Sequence, residues 1–322
     1  MKYLKMFKKF YDSWTGTIIL VLLFIFTVAQ AFVIPSGSMK NSLLIGDFLF
    51  VKKFSYGIPT PHIPIIELQV FPDFKGNGHL IEGDRPKRED IVVFRYPLNP
   101  KMHYVKRCVA VGGDEVIYAD KTLYVRMHEG DEFMQQNYKD KLVQLNGKMY
   151  VKEPYEKGGI HYDSEVDIDK IILSQMLQNN FSMKPVNVQE INPNSYFKYF
   201  NAFYFKVPED EFFMVGDNRD HSEDSRFWGS VPYKYIEGKP WFVYFSWESE
   251  DTVAMQKSID EKYQRGDMNL ETYNALTSHI KDIRQKNNYK IRWERMFKSV
   301  ETLQNENEFI HDGETDVRVK KN

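Results

Sequence analysis

The sequence predicts a mainly β protein with an N-terminal apolar segment that fits a transmembrane helix and with a helical region near the C-terminus. Three observations lead to this prediction. Residues 17–34 are apolar and uncharged, short β-branched and aromatic runs bounded by Gly, Pro or Asp follow residue 35, and helical spacing of apolar residues is clear only after residue 250. With 322 residues, 42% of them hydrophobic, the chain is long enough to bury a large core.

The apolar run Thr17–Ile34 is long enough to cross a bilayer as a helix. Four lysines and one acid precede it, namely Lys2, Lys5, Lys8, Lys9 and Asp12. This excess of positive charge places residues 1–16 in the cytoplasm and the rest of the chain across the membrane. A cleaved secretory signal fits the same pattern, because Ala29-Gln30-Ala31 satisfies the small-x-small rule. Both interpretations place most of the chain outside the cytoplasm.

Short runs along the remaining chain predict its strands and helices. Three of them predict strands, namely IVVF at 91–94, YVKRCVAV at 104–111 and FFMV at 212–215. In LVQL-NG-KMYV at 142–151, the pair Asn146-Gly147 is the one most typical of a two-residue hairpin turn. Two apolar stripes at helical spacing predict a helical hairpin at 249–288. The polar stretch 305–322 is predicted to be a loose tail.

The charge balance and the cysteine content argue against several classes of site. With 43 Lys+Arg and 45 Asp+Glu, the net charge is -2, so no global positive field favours a nucleic acid as partner. The single cysteine, Cys108, cannot form a disulfide within the chain, and the sequence has no zinc-binding spacing of Cys and His. The acidic loop that begins at Asp217 has Arg219 where an EF-hand needs an acid or amide. The sequence therefore predicts no metal and no cofactor.

A Ser-Gly-Ser segment directly after the apolar run is the first candidate for chemistry. Ser36 and Ser38 flank Gly37, and glycine lets another backbone approach closely. One serine is then a candidate nucleophile, with an oxyanion donor beside it. An ordinary turn explains the same residues, since Pro, Ser and Gly are typical of turns.

A lysine in the second predicted strand is a candidate general base. Strand alternation places Lys106 on one face with the small side chains of Cys108 and Ala110. Desolvation on such a face lowers the pKa of a lysine, so that the neutral amine serves as a base. A solvated lysine is the simpler alternative. In the loop after the third strand, Asp224 and Arg226 are expected to form an ion pair.

Taken together, these segments resemble the bacterial type I signal peptidases, membrane-bound Ser/Lys endopeptidases that remove signal peptides from exported proteins. Five blocks carry the resemblance in family order, namely IPSGSM at 34–39, LLIGDFLFVKKFSYG at 43–57, PKREDIVVFRYP at 86–97, YVKRCVAVGGDEV at 104–116 and GDNRDHSEDSRFWGSVP at 216–232. In addition, IRWERMFKSVE at 291–301 looks like the family's C-terminal strand. Five ordered blocks are far more specific than any one alone.

The resemblance implies a role for each matching residue. Ser38 would be the nucleophile that forms the acyl-enzyme, and Lys106 would be the general base. Ser36 and the backbone N–H of Ser38 would form the oxyanion hole. Ser222 would orient the Lys106 ammonium, and a structural ion pair of Asp224 and Arg226 would hold that loop. Pockets for the small residues at positions -1 and -3 of the signal peptide would be lined by Ile34, Pro35, Met39, Tyr104 and Val105.

The resemblance also implies the domain organisation and the location. The catalytic β-domain would comprise 35–117, 200–248 and 289–304, a second β-rich domain would comprise 118–199, and the helical insertion at 249–288 matches no family block. The helix at 17–34 would be retained as a single-pass anchor in the bacterial cytoplasmic membrane, with the catalytic domain on the extracytoplasmic side. The expected partners are signal peptides of exported preproteins and membrane lipid, with the protein-export machinery as a further candidate.

Two other functional classes remain open. Ser38 with His103 or His221 and an aspartate would form a Ser/His/Asp hydrolase, in which Lys106 is dispensable. A non-catalytic protein would bind exported chains without cutting them. Shortly after the Ser-Gly-Ser segment the sequence also departs from the family, because Asn41-Ser42 stand where the family pattern has Pro-Thr, which predicts a less rigid turn.

Overall fold

The computed structural model describes residues 10, 12–19, 29–63, 68–70, 72–73, 75–163, 166–193, 196–248, 259, 273–274, 276–278, 290–305, 308–309 and 318–319. These residues form two large antiparallel β-sheets, three two-stranded sheets and short helices. The mainly β prediction is therefore confirmed.

The strands are, in chain order, β1 Ala29–Val33, β2 Asp47–Lys52, β3 Gly57–Pro59, β4 His62–Ile63, β5 Leu68–Gln69, β6 His79–Glu82, β7 Ile91–Tyr96, β8 Asn99–Val111, β9 Glu115–Ala119, β10 Thr122–Arg126, β11 Leu142–Leu145, β12 Lys148–Lys152, β13 Lys184–Val186, β14 Ala202–Lys206, β15 Glu211–Val215, β16 Val231–Pro232, β17 Ile236–Glu248, β18 Lys290–Ile291, β19 Glu308–Phe309 and β20 Arg318–Val319. The helices with assigned bounds are α1 Asp131–Asn137, α2 Ile168–Leu177, α3 Ser225–Trp228 and α4 Val300–Asn305.

The first sheet has eight strands and contains the three predicted ones as β7, β8 and β15. Its order is β1-β2-β17-β7-β8-β15-β16, and β18 pairs with β17. β15 pairs with β8 from Val111 to Arg107, whereas residues 99–106 of β8 pair with β7 alone among the described strands. The part of β8 around Lys106 therefore has one edge open toward the site.

The second sheet is inserted between β8 and β15. It has the order β11-β12-β10-β9-β14-β13, begins at Glu115 and ends at Lys206, a few residues beyond the predicted 118–199 at each end. The predicted hairpin joins β11 to β12, with Asn146 and Gly147 at φ 47° and 74°, the left-handed conformation that such a turn needs. Helix α2, which no sequence pattern predicted, packs on the core beside this sheet.

The N-terminal region departs from the prediction of one helix over 17–34. Residues 14–19 are helical and residues 20–28 lie outside the described part, whereas Ala29–Val33 is strand β1. The physical reason is the edge of β2, whose other side is taken by β17, so that β1 gains ladder hydrogen bonds there. In the described part of the chain, no helix has both the length and the apolar character to cross a membrane.

The region after the predicted insertion forms less strand than expected. Only Lys290–Ile291 is a strand, and a single 3-10 turn at Trp293–Arg295 and helix α4 follow. This turn interrupts the pairing with β17, and in it Arg295 points inward to the buried carboxylate of Asp47. The pairing resumes after the turn, where Val243 of β17 bonds to Phe297 and Lys298 and Phe242 bridges to Ser299.

The helical insertion and the tail are described only in part. Of the predicted hairpin at 249–288, residues 259, 273–274 and 276–278 are helical, and the rest lies outside the described residues. Within the predicted tail, β19 pairs with β20.

Candidate active site

The turn that carries Ser38 follows closely after β1. Residues Gly37–Met39 form one turn of 3-10 helix, in which the Lys40 N–H donates to the Gly37 carbonyl at 2.9 Å. Asn218, from the loop after β15, holds this turn. Its backbone N–H donates to the Ser38 carbonyl at 3.1 Å, and its side-chain amide donates to the Gly37 carbonyl at 3.1 Å. Ser38 is thereby fixed, and only 8% of it is exposed.

Strand β8 brings Lys106 to Ser38. Lys106 lies opposite Val92 of β7, and its Nζ is 2.5 Å from Ser38 Oγ. Only 4% of the lysine is exposed, so its amine lies in protein rather than in water. The structure thus brings together the two residues that the sequence analysis selected for nucleophile and base.

Burial changes the chemistry of the Lys106 amine. Loss of water around the charged form lowers the pKa of Lys106 from 10.5 to about 8. The carboxylates of Asp224 and Glu223 raise this pKa in part, and the Arg226 guanidinium lowers it. The amine is therefore substantially neutral near pH 8 and suited to accept a proton from the neighbouring hydroxyl.

Two further predicted serines lie next to this pair. Ser36 Oγ is 3.4 Å from Ser38 Oγ, so a second hydroxyl borders that of Ser38. Ser222 Oγ is buried and interacts with the Asp224 carboxylate, whose pKa it helps to lower, but it does not bond to Lys106, so the predicted bond is not formed here. Gly216 separates Ser222 from the Ser38 turn. A Cβ at Gly216 would overlap with Ser222 Oγ and with the Ser38 carbonyl oxygen, so this close approach requires glycine.

Asp224 and Arg226, predicted to pair, form a fully buried ion pair. Arg226 donates to the two carboxylate oxygens from Nε at 2.8 Å and from Nη2 at 2.9 Å. Asp224 also accepts a hydrogen bond from the Gly216 N–H at 3.1 Å. Burial alone would raise the pKa of Asp224, but the Arg226 guanidinium outweighs it and holds that pKa below its usual value. The charged pair therefore ties this loop to Gly216.

A second buried ion pair joins β8 to the same loop, and the sequence analysis missed it. Arg107 donates to the carboxylate of Asp217 from Nε at 2.7 Å and from Nη2 at 2.6 Å. Ser42 Oγ donates to the same carboxylate. Asp217 thus links the neighbour of Lys106 to the turn after the nucleophile. Strand alternation places Arg107 on the face of β8 opposite to that of Lys106. The many acids in the loop after β15 could have indicated a carboxylate partner for Arg107.

A cavity of about 440 Å³, the catalytic pocket, opens at the Ser38–Lys106 pair. The end of β1 forms one wall, and residues 102–106 of β8 form the other. The five predicted substrate-contacting residues all line it, namely Ile34, Pro35, Met39, Tyr104 and Val105. A chain that enters between these two strands meets mostly apolar side chains before it reaches Ser38.

Comparison with known proteins places this geometry in a family. A family model described as "Signal peptidase, peptidase S26" matches residues 7–247. The chain belongs to the signal peptidase family. A signal peptidase I of Helicobacter pylori (strain ATCC 700392 / 26695) is 44% identical over 313 residues, which cover 94% of this chain and 97% of the relative. One from Aquifex aeolicus (strain VF5) is 34% identical over 245 residues, covering 71% and 81%. Membership makes the chain an enzyme, a peptidase of the signal peptidase type.

Among solved structures, a signal peptidase I of Enterococcus faecalis V583 is similar to part of this chain. It is 23% identical, covers 48% of this chain and 97% of its own, and gives a TM-score of 0.25.

This signal peptidase holds the Ser38 turn by side chains at the positions where the family pattern has Pro-Thr. Asn41 adopts φ 80°, a left-handed conformation that asparagine tolerates, and its Nδ2 lies 3.0 Å from His161 Nδ1. The Ser42 N–H donates to the Met39 carbonyl at 3.0 Å, while its hydroxyl bonds to Asp217. Hydrogen bonds to distant segments thus replace the local restraint of a proline.

The two histidines that a Ser/His/Asp hydrolase would use are placed differently. Both His103 and His221 line the catalytic pocket. Among the described residues, however, the hydrogen-bond partners of Ser38 Oγ are Lys106 and Ser36. His221 instead lies with Nε2 3.0 Å from Asp163 Oδ2. This geometry favours a Ser/Lys over a Ser/His/Asp arrangement in this signal peptidase.

One cluster offers metal-ligand atoms away from the dyad. Asp114, His128 and Glu129 each place such an atom within 4.8 Å of the others. Arg88 Nη2 lies 2.6 Å from Asp114 Oδ1 and 2.7 Å from Glu129 Oε2. The guanidinium thus supplies the positive charge and ties the segment before β7 to the second sheet.

Proposed function

We propose that this enzyme removes N-terminal signal peptides from exported preproteins, with Ser38 as nucleophile and Lys106 as general base. The observation that carries the proposal is the 2.5 Å contact between Lys106 Nζ and Ser38 Oγ in a buried site. A lysine with a pKa of about 8 is a base of suitable strength near neutral pH. Family membership supports signal peptides as the substrate class.

The reaction proceeds through an acyl-enzyme. Neutral Lys106 accepts the Ser38 proton as Oγ bonds to the carbonyl carbon of the last signal-peptide residue. The Ser36 hydroxyl and the Ser38 N–H stabilise the negative charge that develops on the carbonyl oxygen. The C–N bond then breaks, and the Lys106 ammonium donates its proton to the leaving amine of the mature chain. Water attacks the acyl-enzyme with Lys106 again as base, and the signal peptide leaves as a carboxylic acid.

Ser222 is proposed to orient Lys106 after proton transfer. Its Oγ is buried beside the Asp224 carboxylate and accepts no hydrogen bond within the described residues, so a lone pair is available to the new ammonium. Asp224 and Arg226 keep the loop in place without touching the reacting atoms. The scheme uses no metal ion and no cofactor.

The catalytic pocket is proposed to select small side chains at positions -1 and -3. Ile34 and Met39 are buried in its wall, while Val105 and Tyr104 approach from β8. Two side chains and the substrate backbone share about 440 Å³, which favours Ala or Gly over bulky residues.

We place the enzyme in the bacterial cytoplasmic membrane as a single-pass protein with a cytoplasmic N-terminus. The uncharged residues 13–28 before β1 and the lysines before them support this placement. Ser38 lies five positions after Val33, the last residue of β1, and this short distance from the apolar run supports a site close to signal peptides, membrane lipid and the export machinery. External protease added to spheroplasts is expected to digest the catalytic domain and to spare an N-terminal tag. A protected domain would contradict this topology.

Cleavage of a purified precursor by the full chain in detergent tests the mechanism. Ser38→Ala and Lys106→Met are each expected to reduce kcat/KM at least about a thousandfold, and the double variant no further, because dyad members act as a unit. Lys101→Met removes an exposed lysine of the same strand and serves as the matched control with full activity. Cleavage by a folded Lys106→Met variant would contradict the mechanism, and loss in His221→Ala would favour a histidine base.

A further inference from the structure

A second cavity, the flanking groove, opens beside the catalytic pocket. It has a volume of about 560 Å³ and lies between helix α2, the β7–β8 turn and the loop after β15. His221 and Glu223 line both cavities, so the groove is continuous with the catalytic pocket at these two residues. Ser222 also lines the groove, which therefore reaches the immediate surroundings of the dyad.

Two buried polar atoms of groove residues lack a hydrogen-bond partner within the described structure, namely Asp220 Oδ1 and Trp228 Nε1. Asp220 and Ser222 are only 4% and 6% exposed. These two atoms lie beneath the surface of the groove and make its wall polar beside the loop after β15.

The groove also exposes apolar side chains that the core does not use. Ile171 of α2 is 40% exposed and Leu98 of the β7–β8 turn is 70% exposed, and both line the groove with Phe181. The side-chain amides of Asn179 and Asn180 lie along the same wall. Apolar surface interrupted by amides is typical of sites that bind extended peptides.

The charge of the groove is negative. Its lining includes the carboxylates of Asp220 and Glu223 but, among the described residues, no lysine or arginine. Lys121 neutralises Asp220 in part, with Nζ 3.3 Å from Oδ2, whereas Glu223 is exposed at the rim. An acidic side chain in the groove would therefore be repelled, and a neutral or basic one accepted.

We propose that the flanking groove binds the first residues of the mature chain, directly after the scissile bond, and selects against acidic side chains there. The inference rests on the proposed function. In that scheme the signal-peptide side occupies the catalytic pocket, and Lys106 returns its proton to the leaving amine while Ser222 orients it. The mature chain therefore extends past Ser222, where the flanking groove begins.

Cleavage of precursors that differ at one of the first positions after the scissile bond tests this selectivity. Precursors with Lys, Gln or Glu are compared at each position. We expect kcat/KM for Glu to be about five- to tenfold below that for Gln at one or more positions, as for a single unfavourable charge pair near the surface. In Glu223→Gln the ratio of kcat/KM for the Gln precursor to that for the Glu precursor is expected to fall close to one. In Glu223→Lys the Glu precursor is expected to be cleaved faster than the Gln precursor. Glu132→Gln removes an exposed carboxylate of α1 outside the groove and leaves the ratio unchanged.

The ratio between two precursors separates this effect from a change in the dyad. Glu223 also raises the pKa of Lys106, so its substitution alters the cleavage of every precursor alike and cancels in the ratio. An unchanged ratio in Glu223→Gln would overturn the role of the groove and leave the peptidase intact. Failure of the unmutated chain to cleave any precursor would overturn the proposed function, and this inference with it.

Photo-crosslinking locates the mature side without any cleavage. The Ser38→Ala variant is incubated with a precursor that carries benzoylphenylalanine either just after or just before the scissile bond. The probe after the bond is expected to label residues 166–182, which contain α2, and the probe before it to label 29–39 or 99–106. The reverse pattern would overturn the assigned orientation.

Discussion

Asp47 and Arg295, 248 residues apart in the chain, form a buried ion pair beside the turn that carries the nucleophile. Arg295 donates to the carboxylate from Nη2 at 2.5 Å and from Nε at 2.9 Å, and also to the Ser42 carbonyl at 3.3 Å. Asp47 accepts a further bond from the Leu44 N–H at 2.8 Å. The segment around Arg295 therefore supports the chain that follows Ser38.

Loss of Arg295 should destabilise the protein strongly. Arg295→Met leaves the Asp47 carboxylate buried without a counter-charge, so the free energy of unfolding is expected to fall by about 3–5 kcal/mol. Denaturant unfolding in detergent measures this change. Arg85→Met removes an arginine whose side chain is 36% exposed and should cost about 1 kcal/mol or less.

The double variant Asp47→Leu/Arg295→Met separates charge burial from packing. It leaves no unpaired charge, so we expect it to recover much of the stability that Arg295→Met loses. If Arg295→Met lowered the free energy of unfolding by no more than Arg85→Met does, a tightly coupled buried ion pair would be contradicted.

Removal of the base should stabilise the fold while it abolishes cleavage. The pKa of Lys106 is about 8 in the folded state and 10.5 when exposed, so the unfolded state binds more protons between these values. The free energy of unfolding should therefore rise with pH from about 8 to 10.5. Below pH 8, Lys106 is protonated in both states, and the folded protein bears the full cost of burying the ammonium. At pH 7, the free energy of unfolding of Lys106→Met is expected to be about 1–3 kcal/mol higher than that of the unmutated protein. Lys101→Met should show neither effect, and equal pH slopes for both variants would contradict the depressed pKa.

The pH dependence of cleavage should report the same lysine. The neutral amine is the active form, so kcat/KM should rise with pH through a midpoint of about 8. Because the Glu223 carboxylate raises the pKa of Lys106, Glu223→Gln should move this midpoint to lower pH. Added salt should reduce the difference in midpoint between Glu223→Gln and the unmutated enzyme, because the Glu223 carboxylate is exposed to solvent. Glu132→Gln should leave the midpoint unchanged, and a flat profile would contradict a lysine base.

Ser38 and Lys106 could be selected from the sequence as candidates for chemistry because both lie in short local patterns. Ser38 lies in a Ser-Gly-Ser turn, and Lys106 lies in a run whose β-branched residues predict a strand. The relation of Ser222 to Lys106 is less determined, because a hydroxyl changes partner with a small rotation. Partners across the fold, such as Arg295 for Asp47, could not be predicted, since periodicity describes a residue's neighbours along the chain and not its distant contacts.

The fold shows the same limit. The strands β7, β8 and β15 follow from β-branched runs, and the Asn146-Gly147 turn follows from the need for positive φ. The apolar run at 17–34 favours a helix by its composition. Its last residues are a strand instead, because β2 offers them an unpaired edge, and that edge is created by residues further along the chain.

Two glycines near the nucleophile should respond differently to alanine. Gly37 adjoins Ser38, yet a Cβ there would lie 3.9 Å from the nearest atom, Ile45 Cδ1, so Gly37→Ala should cleave within a few-fold of the unmutated enzyme. Gly216 is distant in sequence, but its Cβ would overlap with the Ser38 carbonyl oxygen and with Ser222 Oγ. The nucleophile turn must then move away from Lys106, and a displacement of about 1 Å costs about a hundredfold in rate.

Steady-state cleavage by both variants, with unfolding curves to establish that each is folded, measures this contrast. Wild-type cleavage by a folded Gly216→Ala variant would show that the loop after β15 does not set the position of Ser38. A hundredfold loss in Gly37→Ala would instead show that substrate, rather than the protein's own backbone, occupies the space beside Gly37, because the protein itself leaves room for a methyl group there.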